Sequence, residues 1–143
     1  MPLTLDQLQE LPSPFYRVAI KVLILDEQNR LLVVFNEDGE AEIPGGGWEY
    51  DQTFEESLQR EVSEELNAEI KNISQVQLVF PSTSDHGWRV VRIVVKAELA
   101  TPGFAPGDDM TAARFVTYKE FLGLNFDQTD APIQQYAEQI WAS

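Results

Sequence analysis

The sequence predicts one α/β domain, a mixed sheet packed by helices, and three observations carry that expectation. Runs such as "RVAIKVLIL", "RLLVVF" and "WRVVRIVVKAEL" are rich in β-branched and apolar residues and read as strands. Stretches after Thr53 and after Asp130 repeat apolar residues at helical spacing. The chain has 143 residues, 43% hydrophobic and 24% charged, which suits a single domain spanning 1–143 and excludes a disordered chain.

Taken in order, Thr4 with Gln7 forms a capping box, so "TLDQLQEL" reads as a short helix ending before Pro12 and Pro14. "YRVAIKVLILDEQNRLLVVF" gives two strands joined by the polar turn Asp26 to Asn29, a hairpin by composition. Pro44 and the glycines Gly45 to Gly47 interrupt the chain. Thr53 and Glu56 then form a second capping box, and Asn67 suits the left-handed residue that ends a helix. "ISQVQLVF" and "WRVVRIVVKAEL" are strands separated by the turn-rich "PSTSDHG". "TPGFAPGDD" is a loop, "AARFVTY" a last strand and "KEFLGL" a short helix. An amphipathic helix from Asp130, with Pro132 in its first turn, closes the chain.

Composition narrows the function. Twenty-four acidic and ten basic residues give a formal charge of −14, which argues against a nucleic-acid surface. No apolar run is long enough for a membrane span, and the N-terminal stretch lacks the marks of a signal peptide, so a cytoplasmic location is expected. Without cysteine, and with His86 alone, a bound metal would be held by oxygen. Such a divalent cation would reverse the local field for an anionic small molecule.

The helix after Thr53 concentrates that acidity. Phe54, Leu58, Val62 and Leu66 form its apolar stripe. With Phe54 at zero, Glu61 falls near about 340°, Glu65 near about 20° and Glu64 near about 280°. They border the stripe, while Glu56 and Arg60 lie opposite and can pair as i, i+4 neighbours. Ionised carboxylates at a core edge need a counter-charge, and a hard cation such as Mg²⁺ accepts oxygens at this spacing. The glycine turn before the helix lets backbone approach a ligand closely.

This stretch resembles the Nudix hydrolase motif: Gly, five residues, Glu, seven residues, Arg-Glu, an aliphatic residue, any residue, Glu-Glu, any residue, Gly and an aliphatic residue. Gly46, Arg60, Glu61, Val62, Glu64, Glu65 and Ala68 match it in order across 46–68. Gln52 stands where the family has Glu, and Asn67 where it has Gly. "VLILDEQNRLLVV", "IPGGGWE" and "DDMTAARFV" resemble the family's flanks, so the likeness covers roughly 18 to 121.

The resemblance implies an α/β/α sandwich with a mixed β-sheet, and hydrolysis of a nucleoside diphosphate derivative at its pyrophosphate bridge. It implies Mg²⁺ or Mn²⁺ held by Glu61, Glu64 and Glu65, with a carbonyl oxygen of the glycine turn, that of Gly45, as a further ligand. Asp109 or Glu49 would supply an additional carboxylate as general base. Gly46, Gln52 and Arg60 would shape the loop, Gln52 through a hydrogen bond to Arg60. Arg92, Lys96 and Trp48 are the candidate substrate contacts. The alternative is a nucleotide-binding module of the same fold weakened by Gln52, and both monomer and homodimer are compatible with the sequence.

Overall fold

The computed structural model describes residues 2–11 and 15–142. Helix α1 (Leu5–Gln9) starts from the expected capping box of Thr4 and Gln7, while Pro12 and Pro14 lie outside the described residues. Strands β1 (Arg17–Ile24), β2 (Leu31–Asn36), β3 (Ala41–Glu42) and β4 (Gly45–Gly47) follow, then α2 (Phe54–Leu66). Next come β5 (Ile70–Lys71), β6 (Val76–Thr83), β7 (Arg89–Leu99) and β8 (Met110–Val116), and the chain closes with α3 (Tyr118–Gly123) and α4 (Ala137–Trp141).

The expected hairpin of β1 and β2 forms only at its root. Leu25 bridges Leu31 and the Asp26 N–H bonds the Arg30 carbonyl at 2.9 Å, after which the two strands diverge into different sheets. The first sheet has the order β4-β1-β7-β5, with β6 also on β7, and the second the order β3-β2-β8. The reason is burial: Ile20 to Ile24 and Leu31 to Val34 carry almost no exposed surface on either face. Strands buried on both faces belong in sheet interiors with a neighbour on each side, which a simple hairpin cannot supply. β1 runs parallel to β7 and antiparallel to β4, so the sheet is mixed.

Alternation then sorts the core into two layers. Ile20, Val22 and Ile24 of β1 pack with Leu58, Val62 and Leu66 of α2. Leu23 and Val33 point the other way, onto Phe121, Ile133 and Ile140 of the C-terminal segment. Helix α2 thus covers one side and the closing helices the other, giving the expected α/β/α sandwich. No described helix is long and apolar enough to cross a membrane.

The closing segment is not the single helix expected from Asp130. A 3₁₀ stretch, Ala131–Tyr136, precedes α4, and the Asp130 side chain caps nothing. Its carboxylate points inward instead. It accepts the Ile43 N–H at 2.8 Å and lies 3.5 Å from Lys21 Nζ and 3.2 Å from Arg92 Nη2. Lys21 Nζ also donates to the carbonyls of Ile43 (3.0 Å) and Gly45 (3.2 Å), and Arg92 Nε donates to Ser82 Oγ (3.2 Å). These three charged side chains are at most 6% exposed.

One buried carboxylate therefore joins the start of the last segment to β1, β7 and the turn before β4. Removing one partner of a buried pair typically costs about 3–5 kcal/mol, because the other charge is left uncompensated. Asp130→Ala strands two cations and a backbone N–H, so urea unfolding should show a loss in that range. A loss under 1 kcal/mol would mean that water reaches Lys21 and Arg92.

Candidate functional site

The entry to α2 is fixed first. Thr53 Oγ1 accepts the Glu56 N–H and Glu56 Oε1 accepts the Thr53 N–H at 2.9 Å, which commits Glu56 to the cap. Arg60 consequently does not pair with Glu56 as its spacing suggested. Its Nε donates to Gln52 Oε1 at 3.1 Å, and Nη1 reaches Glu61 at 3.1 Å and Glu64 at 3.4 Å. Gln52 Oε1 also accepts from the buried Ser57 hydroxyl at 2.8 Å. The amide therefore anchors Arg60, as the sequence suggested, although it brings no charge.

The glycines set how closely β4 approaches β1 and the Glu61 carboxylate. Gly45 has φ +134°, and a side chain there would run into the Ile20 carbonyl; a Cβ on Gly46 would lie 2.5 Å from the Glu61 carboxyl carbon. Glu61 can pack against bare backbone only because Gly46 has no side chain. One turn on, Glu65 Oε1 accepts the Gly45 N–H at 2.8 Å. The Gly45 carbonyl, expected to face a metal, instead accepts from the Lys21 ammonium.

The far end of α2 carries the second half of the site. Its last carbonyls are capped by a loop: the Ala105 N–H bonds Leu66 at 2.9 Å, Gly107 bonds Glu65 at 2.9 Å and Asp108 bonds Glu64 at 2.8 Å. Asn67 is left-handed (φ 49°), as expected where the motif has Gly. Its side chain adds what Gly could not, donating from Nδ2 to the carbonyls of Ala105 (3.2 Å) and Pro106 (3.3 Å). The loop is thereby carried against the helix end, and Asp108 and Asp109 with it.

Glu61, Glu64, Glu65 and Asp109 line one cavity of about 320 Å³, together with Glu42, Asp108 and the Gly45 backbone. Among the described residues no basic side chain lines it. Glu42 and Asp108 were not singled out from the sequence. Other candidates fall elsewhere. Glu49 is largely exposed, 3.9 Å from Arg60 Nη2, and outside the cavity. Trp48 braces the loop, its Nε1 bonding the Gln52 carbonyl at 2.9 Å and its ring meeting Phe54 edge-on. Arg92 is buried against Asp130 and is not on a solvated strand face. Lys96 Nζ bonds the Ala142 carbonyl at 3.3 Å, at the end of α4, so its register on β7 carries it away from the glutamates.

Electrostatics single out Glu65. Burial pushes its carboxyl up to about 8, although the Lys21 charge and the Gly45 N–H pull the other way. Burial likewise raises Glu42. Ionising these groups together is costly without a counter-charge. The oxygen donors are those a hard divalent cation takes. As they stand, no three acidic groups among the described residues converge on one point, since Arg60 draws Glu61 and Glu64 while Glu65 rests on β4. The donor chemistry fits such an ion, which would compete with Arg60 for two carboxylates.

Two outcomes follow. Below the ordinary carboxyl value of 4.5 Glu65 is protonated whether folded or not; between there and about 8 the unfolded group ionises first, so its contribution to stability falls as pH rises. Subtracting metal-free unfolding energies of Glu65→Gln from those of the native chain should give a difference that declines across that window, and a flat difference would refute the burial effect. For Asn67→Gly, amide exchange at Gly107 and Asp108 should accelerate about fivefold, the equivalent of one hydrogen bond of ~1 kcal/mol. Unchanged exchange would leave the loop held by the helix end alone.

The NUDIX domain family model matches residues 15–137. Among solved structures, an ADP-ribose pyrophosphatase from Streptococcus suis superposes with a TM-score of 0.71 at 18% identity, over 89% of this chain and 90% of that one. The MutT protein of Methanosarcina mazei gives 0.69 at 21% identity, over 92% and 96%. The NUDIX domain of Shewanella oneidensis NrtR complexed with ADP ribose gives 0.71 at 13% identity, over 98% and 100%. No curated protein matches the sequence. With the three motif glutamates lining one cavity and the family model spanning most of its length, the chain belongs to the NUDIX domain family.

Proposed function

We propose that this NUDIX-type pyrophosphohydrolase uses Mg²⁺ or Mn²⁺ to cleave the diphosphate bridge of a nucleoside diphosphate linked to a second group. The observation that carries this reading is the one cavity lined by six carboxylate side chains beside a strand of bare glycine backbone. Six carboxyl groups serve no core and offer a diphosphate no positive charge, so the arrangement makes chemical sense with a cation between protein and substrate.

Glu61, Glu64 and Glu65 would hold the ion. When bound, it would neutralise phosphate oxygens and lower the pKa of a water. The remaining work belongs to the chain. Asp109, held at φ 60° on a loop bonded to the end of α2, would take the proton of the attacking water. That water's oxygen forms a bond to one phosphorus while the bridging P–O bond breaks, releasing two phosphate-bearing products. Arg60 would keep Glu61 and Glu64 oriented, and Glu42 and Asp108 would add negative charge to the wall opposite α2. The names of two similar structures, at 18% and 13% identity, mention ADP ribose, which agrees with a diphosphate-bridged nucleotide as substrate class and goes no further.

Screening nucleoside diphosphate sugars, dinucleotides and nucleoside triphosphates with Mg²⁺ in excess of the nucleotide should reveal turnover that chelation abolishes. Glu64→Gln should abolish most of it while leaving metal-free stability close to native, because its carboxylate is half exposed. Asp109→Asn should reduce turnover by roughly 10²–10⁴ with an unchanged metal-dependent rise in Tm. Full turnover in both variants would return these carboxylates to a solvated surface role.

A further inference from the structure

A diphosphate at the carboxylate cavity leaves open where the rest of the substrate lies. Trp48, Tyr50, Phe80 and Trp88 are among the aromatic residues that could stack a planar group. The structure separates them. Phe80 is 2% exposed and stacked on Tyr136. Trp48 is tied to Gln52 and Phe54, and Tyr50 stands fully in solvent. Trp88, half-buried at the turn between β6 and β7, lines a second cavity of about 230 Å³ with Arg17, Gly46, Gly47, Ser84 and Arg92.

The two cavities are neighbours along β4. Gly45 borders the carboxylates, whereas Gly46 and Gly47 border the second cavity, and successive strand residues are about 3.3 Å apart. β4 consists of three glycines, so no β4 side chain stands between them. Their charges differ in sign. In a chain with 24 acidic and 10 basic residues, the charged side chains of the second cavity are two arginines and no carboxylate. Arg92 is compensated by Asp130; Arg17 makes no ion pair among the described residues and sits 5.7 Å from the centre of the Trp88 ring.

We infer that this second cavity receives the planar ring of the substrate, a neutral nucleobase carrying hydrogen-bond acceptors, stacked on Trp88 with Arg17 beside it. The inference rests on the hydrolase reading above for the position of the diphosphate. The volume is below the roughly 300–1,000 Å³ of sites for drug-sized ligands, which suits one ring system and not a whole dinucleotide. The Arg17 guanidinium disfavours a cationic ring or a quaternary ammonium group in the same place. Stacking needs only a π-face, whereas Arg17 donates to ring carbonyls or ring nitrogens.

The test has two arms. In Mg²⁺-dependent kinetics on whichever nucleoside diphosphate sugar is turned over, Trp88→Ala should raise KM by roughly five- to a hundredfold, the effect of losing one base–aromatic stack. kcat should stay within about threefold, and Trp88→Phe should recover most of the KM. The second arm omits metal and reaction: uridine, adenosine and guanosine are titrated while tryptophan fluorescence is followed. Quenching that survives Glu64→Gln and disappears in Trp88→Phe and Arg17→Gln/Trp88→Phe, with binding by calorimetry weakened in the latter, supports the cavity even if no compound is hydrolysed. Native KM in Trp88→Ala, or nucleoside affinity unchanged in the double variant, overturns the cavity and leaves the hydrolase reading intact.

Discussion

The contact between Glu65 and the Gly45 N–H is the constraint around which the site is organised. It draws a carboxylate that is 6% exposed onto the edge strand of a sheet, where burial pushes its proton affinity up to about 8. Few arrangements in a folded core are so unfavourable for an anion. Apolar packing of Leu58, Val62 and Leu66 holds α2 in place regardless, so the helix imposes this position on Glu65. The group keeps its proton at neutral pH, which is how the metal-free chain meets that cost.

Two further devices converge on the same spot from opposite directions. Beneath the glycine strand, Lys21 bonds the carbonyls of Ile43 and Gly45 and is balanced by Asp130, which also holds Arg92 and the start of the closing segment. Beyond the helix, the loop around Gly107 bonds the final carbonyls of α2 and is clamped by Asn67. One device fixes the backbone that meets Glu61 and Glu65; the other fixes the acids that face them. Neither lines the carboxylate cavity with a basic side chain of its own, so acids are the only charged groups on its wall among the described residues.

Much of this was readable in advance, and the pattern of what was not has physical causes. Capping boxes act within one turn, so Thr4, Thr53 and Asn67 announced their roles locally. The apolar period of α2 placed Glu61 and Glu65 at the core edge, and the structure puts them there. Arg60 was assigned to Glu56 because spacing alone cannot show that the cap already uses Glu56. Lys21 did leave a signal, since it is the one charge inside the apolar run 18–25 and must find a partner if both faces are buried, whereas Arg92 shares its strand with Arg89, Lys96 and Glu98. The partner, Asp130, is distant in sequence and stood only as the start of the closing helix, so the pairing exists only in three dimensions. Glu42 and Asp108 were missed for the same reason, as their place in the cavity depends on how β3 and the Gly107 loop meet α2.

The claim that a buried, protonated Glu65 becomes a cation ligand has a direct measure in the protons released on metal binding. Titrating Mn²⁺ into the protein at pH 7 by calorimetry, in two buffers of different ionisation enthalpy, counts those protons. With its carboxyl pushed up to about 8, Glu65 must give up most of one proton when it binds the ion, and Glu65→Gln should release correspondingly fewer. Metal binding with no proton release, or the same release from Glu65→Gln, would contradict the account.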